Sequence, residues 1–154
     1  MRISFESAKQ ADAIALIAEL DAYQSALYPP ESHHALDLAS VEDHGLLFVM
    51  ARDEAGQALG CGAVVLSAQY GELKRMYVRA QQRGLGVATR ILQALEDAAQ
   101  AAACRVLKLE SGPYQLEALA LYARCGYTRC ERFGSYADDP LSVFMQKTLG
   151  GPHA

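Results

Sequence analysis

The chain has 154 residues, 51% of them hydrophobic, with 18 acidic against 14 basic side chains and a net charge of −4. That length buries a core without disulfides or a structural metal, and an acidic balance with no long Lys/Arg run excludes the electrostatic footprint of a nucleic-acid binder. No window approaches the roughly 18 consecutive apolar residues of a membrane span, and "MRISFESAKQ" lacks the apolar stretch of a secretion signal. The expectation is one domain over residues 1–154, soluble and cytoplasmic, partnered by neither nucleic acid nor membrane.

After a strand at the N-terminus, Ser7 and Gln10 stand in capping-box spacing ahead of Ile14, Ile17, Leu20 and Leu27, an apolar series at helical intervals. The prolines of "LYPPESHH" end that helix, and a further short helix is expected near His34 to Ala39. The period then changes. "LLFVMA", "ALGCGAVVLS" and "ELKRMYV", separated by "RDEAGQ" and "AQYG", read as an antiparallel meander. Val87, Ile91, Leu95, Ala98 and Ala102 make one stripe of an amphipathic helix over residues 84–103. "RVLKLES" is the next strand, and "YQLEALALYARCG" a helix closed by Gly126. "YTRCERF" and "LSVFMQKTL" form a terminal strand pair around "GSYADDP", whose edge a homodimer could cover. The order β-α-(α)-β-β-β-α-β-α-β-β implies an α+β fold with a mixed sheet.

Cys61, Cys104, Cys125 and Cys130 form no Cys-x-x-Cys pair and have no histidine at metal-ligand spacing, so they read as reduced structural thiols and no metal site is expected. The chemistry lies instead in "RAQQRGLGVATRIL", where two glycines precede a helix. A helix N-terminus offers unpaired N–H groups and the positive end of the dipole to a phosphate, and glycine lets the ligand approach. A dinucleotide-binding unit with Glu110 on the ribose is one reading, but Thr89 occupies the third glycine position and three antiparallel strands precede the unit. A kinase-type phosphate loop fails because no Gly-Lys-Ser/Thr follows.

Gln81-Gln82-Arg83-Gly84-Leu85-Gly86 matches the Gln/Arg-x-x-Gly-x-Gly/Ala signature of the GNAT superfamily of N-acetyltransferases. "QLEALALYARCGY" is similar to that family's Asn-x-x-Ala-x-x-Leu-Tyr-x-x-x-Gly-Phe helix, with Ala118, Leu121, Tyr122 and Gly126 in register, Gln115 for the Asn and Tyr127 for the Phe. The resemblance covers nearly the whole chain. It implies the GNAT acyl-CoA N-acyltransferase fold, a mostly antiparallel sheet of six to seven strands flanked by about four helices, and acetyl-CoA as acyl donor. Main-chain groups of Arg83, Gly84, Leu85, Gly86, Val87, Ala88 and Thr89 would hold the pyrophosphate, and Met76, Tyr77 and Val78 would pair with the pantetheine arm as an added strand would. Gln115 would replace the family's usual contact from its helix.

Transfer to an amine requires a base, because a primary ammonium with a pKa near 10 is mostly protonated at pH 7. The resemblance points to Glu72 acting through water, with Glu110 on the neighbouring strand as the second candidate. Tyr122 matches the family's general-acid position. Leu116, Leu119, Ala120 and Ala123 would form the buried stripe of its helix, which leaves Tyr122 off the packing face.

The acceptor would be a small-molecule amine. Glu31 could bind its ammonium and His33 or His34 could bind it or shuttle protons. Arg75 could grip a carboxylate, in which case an amino acid is the acceptor, and Tyr136 could cover the pocket. Strand alternation allows only one of Lys74 and Arg75 to view that pocket, and Leu66 and Met76 would wall the acyl group. A protein or peptide N-terminus as acceptor, and an acyl-CoA sensor without turnover, are the alternatives.

Overall fold

In this computed structural model, residues 1–32, 38, 41 and 45–150 are described. The strands are β1 (Arg2–Phe5), β2 (Leu46–Arg52), β3 (Ala58–Leu66), β4 (Gly71–Val78), β5 (Val106–Ser111), β6 (Thr128–Arg129) and β7 (Val143–Thr148). They form one sheet in the order β1-β2-β3-β4-β5-β7-β6, with β4 and β5 parallel and the other neighbours antiparallel. Three α-helices lie among the described residues: α1 (Ala11–Leu27), α2 (Val87–Ala101) and α3 (Leu116–Arg124). The mostly antiparallel mixed sheet expected from the sequence is present. The short helix expected near residues 34–39 lies, apart from buried Leu38, outside the described residues.

Side chains of successive strand residues point to opposite faces. Val49 and Ala51 therefore enter the core beneath α2 and α3, while Phe48 and Met50 pack against Ala13 and Leu16 of α1. On α2, Ile91, Leu92 and Leu95 are at most 1% exposed, so truncating one of these leucines to alanine would cost about 2–5 kcal/mol.

The helix ends depart from the sequence reading for local reasons. No capping box forms at α1: Gln10 is the N-cap residue without a side-chain cap, and the Ser7 hydroxyl accepts instead from the Lys9 amide at 3.0 Å. Gln10 serves a different purpose, accepting from Arg52 Nη2 at 3.0 Å beside Glu6 and Asp12, which ion-pair with the same guanidinium at 2.7 and 2.8 Å. This cluster staples β1, the start of α1 and β2, and Arg52 holds the Glu6 carboxyl down to about 2. Ile14 is 58% exposed, and the buried stripe of α1 is Ala13, Leu16 and Leu20. The second helix begins at Val87 because Gly84 and Gly86 have φ of +80° and +79°, outside helical space.

Two irregularities of β4 interrupt the regular sheet. Cys61 opposes Tyr77 and Ala63 opposes Lys74, so Gly62 faces both Arg75 and Met76, a β-bulge with Arg75 at φ +57°. Such a conformation costs a non-glycine residue on the order of 1–3 kcal/mol. It is held by the Arg75 Nη1–Asp21 Oδ1 ion pair at 2.7 Å and by Cys61 Sγ donating to the Arg75 carbonyl at 3.4 Å. The second irregularity is that β4 pairs with β5 at Gly71–Leu107 and Glu72–Lys108 alone, after which the two parallel strands part.

Candidate active site

The parting of β4 and β5 opens the sheet in the middle, and two cavities meet in the gap. The first, about 320 Å³, runs along Met76, Tyr77 and Val78 to the turn before α2. Arg83, Gly84, Gly86, Val87, Ala88 and Thr89 form its far wall, and Gln115 stands on the side of α3. Of the expected cofactor residues, Leu85 alone does not line it, its side chain being 68% exposed. Among the described residues, a Cβ added at Gly84 or Gly86 would meet nothing within 4 Å. Glycine is needed there for positive φ and for a bare approach to the main chain. Gly86 gives α2 no side-chain cap, and its carbonyl accepts the first helical bond, from Arg90 at 3.2 Å. The amides of Val87, Ala88 and Thr89 thus precede the first intrahelical donor and lie at the positive end of the dipole. Arg83 Nε donates to the Val78 carbonyl at 3.0 Å, and its guanidinium lies 5.6 Å from the Tyr23 ring centroid and 5.9 Å from that of Tyr77. Tyr23, on α1, is a wall that sequence reasoning missed.

The second cavity is walled by side chains from many elements: Gln24 and Tyr28 from the end of α1, Ser32, Lys74 and Arg75 from β4, Glu110 and Ser111 from β5, and Tyr136 and Leu141 from the β6–β7 loop. Both Lys74 and Arg75 line it, against the expectation from alternation, because the bulge at Arg75 breaks the two-residue period. Lys74 Nζ lies 3.1 Å from Glu72 Oε2, and Arg75 pairs with Asp21. Glu110 accepts from the Ser142 hydroxyl at 2.7 Å. Glu31 is exposed and borders neither cavity, whereas its neighbour Ser32 does and donates to Asp139 Oδ2 at 2.7 Å. His33 and His34 lie outside the described residues. Leu66 lines neither cavity, while Met76 lines both.

Glu72 is not itself a wall. Its carboxylate accepts a hydrogen bond from the Tyr136 hydroxyl, and Lys74 Nζ donates to that same hydroxyl at 2.7 Å. Phe133 and Phe144 meet the Tyr136 ring edge-on at 5.3 and 5.5 Å, fixing where the phenol points. Burial, reinforced by the bond to Glu72, pushes the Tyr136 pKa up, so the phenol keeps its proton at ordinary pH. Tyr28, also missed from the sequence, is 8% exposed, stacks on Tyr114 at 5.3 Å and accepts from the Tyr114 amide at 3.0 Å. A Cβ on Gly112 would fall 1.9 Å from its hydroxyl, so only glycine lets Tyr28 seal this end.

Tyr122 joins the two cavities, with Leu20, Met76, Gln115 and Ala118 as the other shared walls. Its helix packs on a different face from the one expected. The buried residues of α3 are Leu121 and Tyr122, and Leu116 is 72% exposed. Tyr122 therefore packs as well as lines, edge-on to Tyr127 at 5.8 Å; Tyr127 in turn donates to buried Glu96 at 2.8 Å. Burial pushes the Tyr122 hydroxyl's pKa up, leaving it a proton donor over the physiological range. The Gln115 side chain accepts from the Gly112 amide at 3.3 Å.

A sheet split between parallel neighbours, with a bare helix N-terminus at one end of the split and a polar cavity at the other, defines the architecture of an acyl-CoA-dependent acyltransferase. Residues 13–127 match the acetyltransferase (GNAT) family, and the chain belongs to it. It is 43% identical over 149 residues to the IAA acetyltransferase of Azospirillum brasilense, covering 96% of this chain and 97% of the relative. The uncharacterised N-acetyltransferase YsnE of Bacillus subtilis (strain 168) is 34% identical over 152 residues, covering 97% of this chain and all of that one. Among solved structures, a Klebsiella pneumoniae protein assigned as an acyl-CoA N-acyltransferase superposes with a TM-score of 0.88 at 41% identity, over 96% of this chain and 97% of the other. The chain is thus an acetyltransferase of the GNAT family, whose members use acetyl-CoA.

Proposed function

We propose that the protein transfers the acetyl group of acetyl-CoA to the amine of a small molecule, an amino acid being the first candidate. The observation carrying this reading is the junction at Tyr122, where the cleft that ends on the bare first turn of α2 meets a cavity whose walls include Lys74, Arg75, Glu110 and Tyr136. The amides at the start of α2 suit a pyrophosphate, and the edge of β4 beyond Glu72, left unpaired by β5, suits the amides of a pantetheine arm. Acetyl-CoA supplies an activated thioester; the protein orients the amine, takes its proton and donates one to the departing sulfur. In this scheme Glu72 is the base, Glu110 the wall carboxylate that orients the ammonium, and Tyr122 the acid. Arg75 and Lys74 would face an acceptor carboxylate.

The choice of a small acceptor over a peptide rests on the roof of the second cavity. The 130–142 loop is tied down at three separate points, by Tyr136 to Glu72, Asp139 to Ser32 and Ser142 to Glu110. A peptide would need that roof open. The test is acetyl-CoA turnover with free amino acids, short peptides and IAA, the compound that names the Azospirillum relative. Acetylation of free amino acids with none of peptides is expected; peptide acetylation alone would reverse the acceptor class.

A further inference from the structure

Resting on the acetyltransferase reading above, we propose that Gln115 is a catalytic residue, whose carboxamide N–H groups hold the thioester carbonyl oxygen as it gains charge. Among the described residues, the walls shared by the two cavities are Leu20, Met76, Gln115, Ala118 and Tyr122, and of these side chains Gln115 and Tyr122 alone carry hydrogen-bond donors. Gln115 grips the turn after β5 twice: its main-chain amide donates to the Gly112 carbonyl at 3.2 Å, and its Oε1 accepts from the Gly112 amide at 3.3 Å. Gly112 in turn fits so closely against the Tyr28 hydroxyl that a Cβ has no room. An N–H needs an oxygen opposite it, so the carboxamide is oriented, with its NH2 on the arm away from Gly112. That NH2 does not serve the helix either, for Gln115 is the N-cap residue of α3 and gives it no side-chain cap. Neither Gln115 Nε2 nor the Tyr122 hydroxyl has a hydrogen-bond partner among the described residues, where no buried polar side-chain atom is left unpaired, so both donors are open to solvent.

Negative charge develops at two atoms of a thioester under attack. As the neutral amine forms the C–N bond, the carbonyl π pair moves onto oxygen; as that pair returns, the C–S bond breaks and sulfur keeps its electrons. Oxygen needs a donor that keeps its proton, and sulfur needs one that gives its proton up. A carboxamide N–H does the first and a phenol the second, which assigns Gln115 to the oxygen and Tyr122 to the sulfur. The protons balance on the same terms. The acceptor ammonium gives one to the base before attack, and the second leaves nitrogen as the amide forms, restoring to Tyr122 the proton that went to sulfur. The apolar side chains of Leu20, Met76 and Ala118 keep the junction poor in competing dipoles, where a donor already fixed in place stabilises more than it would in water.

The test uses Gln115→Met, which keeps the length and removes the donor, and Gln115→Glu, which keeps the oxygen that accepts from Gly112 and puts an acceptor where the NH2 stood. With a panel of free amino acids, kcat should fall about 100-fold to 1000-fold in each variant, while the CoA Kd, measured by calorimetry, and the acceptor KM stay within about twofold of wild type. A rise in the CoA Kd with kcat preserved at saturation would place Gln115 on the pantetheine arm, and wild-type kinetics would make it a wall only; either result overturns the proposal and leaves the acetyltransferase reading intact. A second readout needs no turnover. The infrared difference between bound [1-13C]acetyl-CoA and its unlabelled form isolates the thioester carbonyl stretch, which a hydrogen-bond donor lowers in frequency. Gln115→Met should return that band toward its position in free acetyl-CoA. A band that the substitution leaves unmoved would show that main-chain amides alone polarise the carbonyl, and would also overturn the proposal. If the wild type binds acetyl-CoA but acetylates nothing in the panel, the acceptor reading falls and the infrared band decides the role of Gln115 by itself; if acetyl-CoA does not bind, both fall together.

Discussion

The two ends of the cleft are built by different means. The end proposed for the cofactor draws its walls from α1, β4, residues 82–89 and α3, and bares main chain at the glycines 84 and 86 and the first turn of α2. The acceptor end is made of side chains from α1, β4, β5 and the 130–142 loop, held in place by one another. A main-chain site recognises what is common to every donor of its class and constrains few side chains. A side-chain site of several elements can change its acceptor without changing the fold. Tyr122 stands where the two meet, and substitution there should separate them most sharply. Tyr122→Phe keeps the ring that packs on Tyr127 and removes the hydroxyl; kcat should fall about 100-fold to 1000-fold with the acetyl-CoA Kd unchanged. An unaltered kcat would make Tyr122 a wall and nothing more.

That contrast also explains what could be read in advance. The positive-φ turn that opens α2 was legible because the residue types and spacing that dictate it all reside in the short stretch from Gly84 to Thr89. The sheet was legible from its change of period. The bulge at Arg75 was not, since an arginine gives no sign of adopting φ +57°; the signal is the Gly62 opposite it, meaningful only once the strands are paired. Without the bulge, Lys74 and Arg75 are wrongly sent to opposite faces. Tyr28 and Ser32 were missed because their roles depend on Gly112 and Asp139, more than 80 residues away in sequence. Leu116 and Ile14 misled in the opposite direction: they extend apolar stripes but are exposed, and of the four residues assigned to the packing face of α3 Leu119 alone packs against the core.

A smaller effect should test whether the cofactor end is as local as it looks. Gly86→Ala adds a methyl that meets nothing within 4 Å among the described residues but holds alanine at φ +79°. The strain is about 1–2 kcal/mol, enough to lower Tm by a few degrees in a chain of this size. Relaxing it moves the amides of α2, so acetyl-CoA binding should weaken about tenfold, equivalent to about 1.4 kcal/mol. The acceptor KM, measured at saturating acetyl-CoA, should stay within twofold of its wild-type value. A parallel loss in both would mean that the two ends are coupled through β4 and do not act as separate sites.

The smallest expected effect lies at the roof of the acceptor cavity. Ser32 Oγ donates to Asp139 Oδ2 at 2.7 Å, while the other oxygen of Asp139 accepts from the Leu141 amide at 2.8 Å. Ser32→Ala therefore removes the tie to the segment after α1 but leaves the turn around Asp139 its internal support. A hydrogen bond of this kind contributes about 1 kcal/mol, so the acceptor KM should rise about fivefold, with kcat and the acetyl-CoA Kd unchanged. Asp139→Ala removes the bond from Ser32 together with that from the Leu141 amide and should raise KM further. In the double variant the loss of the serine should add nothing to that of the aspartate, because the bond they share can be broken only once. Additive losses would show that Ser32 acts on the acceptor directly as a wall of the cavity, and that the roof at residues 130–142 is held by Tyr136 and Ser142 without it.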